Sequence, residues 1–335
     1  MPFEYPSGSF AEVKSKGEGA DAIKVYETEN GLVEVELKKI EPSPEAEKHK
    51  TKEKESLTEA VLFMPGWSMT PESKSARELS QSFADYANVP AYEIFARAEK
   101  ISGSGQLGHE AEAIRRFIEE SGLNNVVISG HSQGGDRAID LTVLLQERNP
   151  EIKIRGLVLM NTVGLHEQGK AALVGNFAKD AAIGTPKSVM KTVLGISRHF
   201  KGEGSFPKRS VRPLVDGLFG IIREAGKSGA GYPKRFLNEI SNMAKANEHI
   251  TEVNVPVILV QGERDPISAH EKIAPVDKPS EREKLLKVNL FKNSPYVRMV
   301  VAEKAGHHNM PLFRPESVAR ASLYMLERFY RSKEK

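Results

Sequence analysis

Residues 124–146 read NNVVISGHSQGGDRAIDLTVLLQ. A short β-branched run, VVIS, meets Gly130-His131-Ser132-Gln133-Gly134, and an amphipathic helical stretch follows at once. A five-residue G-x-S-x-G match arises by chance; one wedged between a buried strand and a helix is far more specific. A turn this tight forces the serine into a strained backbone conformation. Side chains two residues before and after it would collide, so Gly130 and Gly134 stand there. The turn lifts the Ser132 hydroxyl above the sheet, at a helix N-terminus whose field favours developing negative charge. Gly130, His131 and Gly134 thus build an elbow that presents Ser132 as a candidate nucleophile.

Outward from the elbow the chain alternates between the two periodicities. EAVLFMP from Glu59 reads as a buried strand, and PESKSARELSQSFADYA from Pro71 as a helix, with Thr70-Pro71 as its N-cap and first position. YEIFARA is a further strand, and HEAEAIRRFIEESG an amphipathic helix closed by Gly122. After the elbow helix come IRGLVLMN, then VPVILVQG, YVRMVVAE and a final helix, PESVARASLYMLERFYR. Strands alternating with helices predict a mostly parallel central sheet with helices on both faces, an α/β fold.

Two stretches break this rhythm. Residues 166–250 hold helix-like pieces such as KSVMKTVLGISRHF and PLVDGLFGIIREAG, divided by glycines and prolines, and carry twice as many basic as acidic residues. They read as a helical insertion between two sheet strands. A basic cover can attract an anionic substrate or make interfacial contact with lipid. Surface lysines need no such reason, so a solvated face is the expectation. Residues 1–57 contain two β-rich runs around Asn30-Gly31, the pair that a tight hairpin turn prefers. They end in the charge-dense EPSPEAEKHKTKEKES, read as a solvated loop or linker, and the stretch as a whole is expected to extend the edge of the core.

Composition narrows the classes. The chain of 335 residues has 39% hydrophobic and 28% charged residues, enough for a substantial core. It has no cysteine, which removes disulfides, thiolate metal sites and cysteine nucleophiles together. The opening MPFEYPSGSFAEVKSKGEG has no basic stretch followed by an apolar run, so no secretory signal is expected, and no apolar run is long enough to span a membrane. A net charge of +3 with no recognition motif gives no reason to expect nucleic acid as a partner. A soluble, cytoplasmic protein is the expectation.

Serine is a poor nucleophile unless a base, held by an acid, takes its proton. Asp265 lies in VILVQGERDPI just past a strong apolar strand, where an open α/β sheet places its functional loops. His307 follows the last strand in VVAEKAGHHNMP. Glu263 and His308 are their neighbouring rivals. Asp136 and Asp140 sit on the helix behind Ser132 and face away from a base there. The strand before the insertion ends in Asn161, which argues against an acid at that strand. His49, His109, His166, His199, His249 and His270 have no comparable placement. An oxyanion needs donors as well: the backbone N–H of Gln133, and that of Trp67 in the loop Met64-Pro65-Gly66-Trp67-Ser68, where Gly66 allows close approach.

On PGW, GHSQGG, GERDPI and AGHHNMP the chain resembles the α/β-hydrolase superfamily, over roughly Thr58 to Arg331. Members usually carry His-Gly where this chain has Pro65-Gly66, a departure that leaves the glycine and the donor position intact. The resemblance implies the α/β-hydrolase fold, with a core formed by 58–165 and 251–335 and a helical cap over 166–250. It selects Asp265 over Glu263 as the acid, because the family acid follows the penultimate strand. It selects His307 over His308, because the family histidine usually follows glycine directly. It further implies hydrolysis of a small-molecule ester through an acyl-enzyme on Ser132, His307 and Asp265, with no metal and no organic cofactor. Thioesterases, amidases, C–C hydrolases and lipases share that framework, and a non-catalytic ligand-binding member of the fold is the reading from another class.

Overall fold

Strands with apolar residues on both faces belong inside a sheet, and the four most apolar runs lie there. The computed structural model describes residues 11–16, 21–28, 31–48, 57–66, 69, 71, 73–99, 106–179, 240–241, 243–268, 270–302, 305, 307 and 315–334. The strands are β1 (Ala11–Lys16), β2 (Asp21–Thr28), β3 (Gly31–Ile40), β4 (Ala60–Met64), β5 (Ala91–Glu99), β6 (Asn125–His131), β7 (Lys153–Met160), β8 (Val257–Gly262) and β9 (Val297–Ala302). They form one nine-stranded sheet in the order β1-β2-β3-β5-β4-β6-β7-β8-β9. Every pair from β5 to β9 is parallel, and β1, β2, β3 and β5 pair antiparallel.

Helices cover both faces, as the alternation of strands and helices requires. One face carries α3 (Gln106–Ser121) and α4 (Gln133–Arg148), which bury Ile114, Phe117, Ile118, Leu141 and Leu145 against Leu62, Ile128 and Leu159. The other carries α2 (Lys74–Ala87) and α8 (Pro315–Lys333), which bury Leu79, Phe83, Leu323 and Leu326 against Phe63, Val127 and Val158. Smaller helices are α1 (Pro44–Lys48), α5 (Lys170–Lys179), α6 (His270–Ile273) and α7 (Pro279–Asn289).

Local details depart from the sequence-based expectation. The edge is not among them: β1, β2 and β3 extend the sheet antiparallel beside β5, and β3 alternates, burying Val33, Val35 and Leu37. Thr28 pairs with Gly31, and residues 29–30 between them, where half of the expected Asn30-Gly31 turn falls, lie outside the described residues. The charged stretch after Ile40 is not all loop. Pro44 starts the short α1, where the Ala46 N–H donates to Ser43 Oγ at 3.3 Å. Helix α2 begins at Lys74 with Ser73 as its N-cap, not at Thr70-Pro71. Pro71 is instead held against the sheet, its carbonyl accepting from Lys38 Nζ at 3.0 Å.

Most of the expected cap, residues 180–239, lies outside the described residues, but both of its ends are seen. They meet at one place. The Gln168 N–H donates to the Ala244 carbonyl at 2.8 Å, and the Asn247 N–H to the Gly164 carbonyl at 2.7 Å. Val163, Leu173, Ile240, Met243, Ala244 and Ile267 pack a small apolar cluster at this junction.

Candidate functional site

Strand β6 ends at His131 and α4 starts at Gln133, leaving Ser132 alone to turn the chain. Its backbone sits at φ 55°, ψ −123°, a conformation L-residues rarely adopt. The surroundings hold it there. Its N–H donates to the Met160 carbonyl at 2.9 Å, and its carbonyl accepts from Gly135 N–H at 3.0 Å and Val163 N–H at 3.3 Å. The glycines are required by contact. A Cβ on Gly130 would come within 2.3 Å of the Gly134 carbonyl oxygen, and one on Gly134 within 2.0 Å of the Met64 carbonyl oxygen.

The ends of β6, β8 and β9 converge on one chain of hydrogen bonds. Ser132 Oγ lies 2.8 Å from His307 Nε2, and His307 Nδ1 lies 2.8 Å from Asp265 Oδ2. All three residues are buried. Asp265 takes more donors: Ile267 N–H at 2.8 Å and Ser268 N–H at 3.0 Å on Oδ1, and the Ser268 hydroxyl on Oδ2. Burial opposes its charge, but the facing imidazole and the Ser268 donors outweigh that and hold the carboxyl below the usual aspartate range. With Asp265 as a fixed acceptor, Nδ1 carries the proton and Nε2 faces the serine hydroxyl as a hydrogen-bond acceptor. Glu263, the rival acid, is exposed.

Two side chains hold His307 from behind: His131 of the elbow, and Asn161, which no sequence motif ties to this site. The His307 carbonyl accepts from Asn161 Nδ2 at 2.7 Å, and His131 Nε2 lies 3.2 Å from the same oxygen. Burial and the neighbouring His307 push the His131 imidazole down to about 3, so this ring is neutral at ordinary pH. Asp136 and Asp140 point elsewhere. Both accept from Asn247 Nδ2, at 2.6 and 2.9 Å. Burial, against the amide and Arg137, raises Asp136 to about 7. Asp140 is raised too, by burial and then by Asp136.

The loop after β4 runs beside the elbow, and a Cβ on Gly66 would meet Ser132 Cβ at 3.0 Å. Gln133 occupies the first turn of α4 and is buried. Trp67, Gly306 and His308 lie outside the described residues. Among the described residues no group of three or more His, Cys, Asp or Glu side chains could hold a metal ion, and no helix is long and apolar enough to cross a membrane.

No protein-family model and no curated protein matches the chain. Solved structures do. A bacterial membrane phospholipase A is 17% identical, with 93% of this chain and 87% of that one covered and a TM-score of 0.55. A thermophilic esterase from Thermogutta terrifontis is 16% identical, with 92% and 99% covered and a TM-score of 0.53. A bromoperoxidase from Bacillus anthracis is 12% identical, with 96% and 100% covered and a TM-score of 0.54. At such identities the likeness speaks for architecture. The chain has the α/β-hydrolase fold.

Proposed function

We propose that the chain is a serine hydrolase that cleaves carboxylic esters through a covalent acyl-enzyme. The observation that carries this reading is the buried relay from Ser132 Oγ through His307 to Asp265, with 2.8 Å at each link. In the forward step Ser132 Oγ attacks the ester carbonyl while His307 Nε2 takes its proton. Asp265 stabilises the resulting imidazolium and fixes its orientation. The oxyanion is held by backbone N–H groups, that of Gln133 at the start of α4 and that of Trp67 in the neighbouring loop. The imidazolium then protonates the departing alcohol. Water, deprotonated by the same imidazole, attacks the acyl carbon and frees Ser132. The reaction consumes one water and needs neither metal nor organic cofactor.

That a phospholipase A and an esterase share the fold agrees with this chemistry. The strained backbone of Ser132 points the same way, since strain of this kind persists where the surroundings impose it and clusters at active sites. We assign 58–165 and 251–335 to the catalytic core and 166–250 to a cap that sets acyl size, its two ends tied together beside the elbow.

The test is hydrolysis of p-nitrophenyl esters of increasing chain length by the wild type and by Ser132→Ala. The wild type is expected to turn over and the variant to fall by about 10⁴-fold or more, towards background. The length profile then separates esterase from lipase behaviour. Full activity in Ser132→Ala would overturn the assignment. An inactive wild type would move thioesters, amides and a binding role ahead of carboxylic esters.

A further inference from the structure

We propose that Asn161 and His131 are positioning residues that set the imidazole of His307 by gripping its backbone carbonyl. The inference rests on the serine-hydrolase reading for its kinetic consequence, but its geometry stands apart from it. The His307 carbonyl oxygen accepts from Asn161 Nδ2 at 2.7 Å and faces His131 Nε2 at 3.2 Å. Both side chains are almost wholly buried, so no bulk water competes for that oxygen.

Asn161 is suited to the task by being an amide. It stands immediately after β7, between the strand that delivers Ser132 and the strand that delivers Asp265. Its backbone turns there through φ 43°, with its N–H bonded to the Val260 carbonyl at 2.9 Å. The side chain then works in both directions. Nδ2 donates to the His307 carbonyl, while Oδ1 accepts from the Gly262 N–H at 2.7 Å. Gly262 begins the turn that carries Asp265, whose own N–H donates back to the Gly262 carbonyl at 3.2 Å. A single side chain thus links the backbone of the acid's turn to the backbone of the base. A carboxylate at this position would keep the acceptor arm and turn the donor arm into a repulsion between oxygens. This is a physical reason for an amide at a strand end that could otherwise carry the acid.

His131 supplies the second grip. A carbonyl can only accept, so Nε2 is the protonated nitrogen and Nδ1 carries no proton. The ring is uncharged at working pH, with its centroid 5.5 Å from that of His307. It therefore places no full positive charge beside the imidazolium that forms during turnover. Such outer contacts fix the ring that performs the proton transfer, and small displacements of that ring are costly.

The experiment compares wild type, Asn161→Asp and His131→Phe by two readouts. One is the downfield NMR signal of the His307 Nδ1 proton bonded to Asp265, which needs no turnover. The other is kcat and KM for a p-nitrophenyl ester across pH. For Asn161→Asp the signal should shift or broaden, and kcat should fall about ten- to a hundredfold with KM within about twofold. The ratio of variant to wild-type kcat should rise as pH is lowered, because the introduced carboxyl regains a donor once it is protonated. His131→Phe keeps a ring and loses the donor, and should show a smaller fall with no such pH trend. It also covers the case in which Asn161→Asp does not fold, as checked by circular dichroism. An unmoved Nδ1 signal together with unchanged kcat in a folded variant would overturn the proposal. A moved signal in a wild type and variant that both lack hydrolase activity would uphold the positioning and sink the serine-hydrolase reading instead.

Discussion

Asp265 and the pair Asp136–Asp140 are all buried, yet burial leaves them in opposite states. Asp265 receives two backbone N–H groups, one hydroxyl and the imidazole of His307, and its carboxyl is held below the usual range. The pair shares one amide nitrogen, that of Asn247. Burial lifts Asp136 to about 7 and Asp140 above its ordinary value, with Arg137 opposing both rises and Glu248 adding to that of Asp140. The lesson is that donors, rather than depth, decide the charge of an interior carboxyl. The consequences for stability have opposite signs. Asp265 contributes stability that is present above its unfolded pKa and is lost as pH falls through its lowered folded value. The pair contributes stability that is full below the ordinary aspartate pKa of 3.8 and is lost as pH rises, through about 7 for Asp136.

Three experiments would break or sharpen this contrast. The largest effect is expected from Asp265→Asn, which keeps the shape and removes the charge. Its kcat for p-nitrophenyl acetate should fall by about 10³–10⁴-fold, and a loss below tenfold would show that the ionised state is not what the donors serve. Next comes Asn247→Ala, which takes the shared donor from two buried carboxyls. Urea unfolding at pH 8 should show a loss of about 2–3 kcal/mol, with kcat of the folded protein changed less than about threefold. Unaltered stability would mean that the amide does not restrain the pair. The smallest effect belongs to Asp140→Asn, which keeps an acceptor for Asn247 and cannot ionise. It should stabilise the fold by about 1 kcal/mol at pH 8 and not at pH 4, where the wild-type pair is already protonated. A difference in melting temperature that is constant between those pH values would refute titration of the pair.

What could be read from the sequence follows from which forces leave a local mark. The central strands announce themselves because both of their faces are buried, and the elbow because Gly130 and Gly134 have no room for a Cβ. Asp265 and His307 stand at strand ends, where the order of elements alone puts them near Ser132. Other features leave no such mark. Strand β1, AEVKSK, is charge-rich and holds its place by edge pairing with β2. Helix α7 buries only Leu286, so its pattern hardly differs from that of a solvated loop. The role of Asn161 is set by Gly262 and by His307, the latter 146 residues away, and nothing in the neighbouring residues encodes those partners. Asn247 is similar: its partners Asp136 and Asp140 lie more than 100 residues earlier in the chain.

The distance along the chain between Ser132 and His307, 175 residues, has a consequence for biosynthesis. The elbow, β4 to β7 and their helices can gather while the rest of the polypeptide is still being made, but Ser132 then lacks both His307 and Asp265. The imidazole arrives only when β9 pairs with β8 at the far edge of the sheet. Pairings between segments so remote are slow compared with local helix formation. On the proposed mechanism the nascent chain would therefore carry a dormant nucleophile, with the power to react conferred last, by the same event that closes the far edge of the sheet.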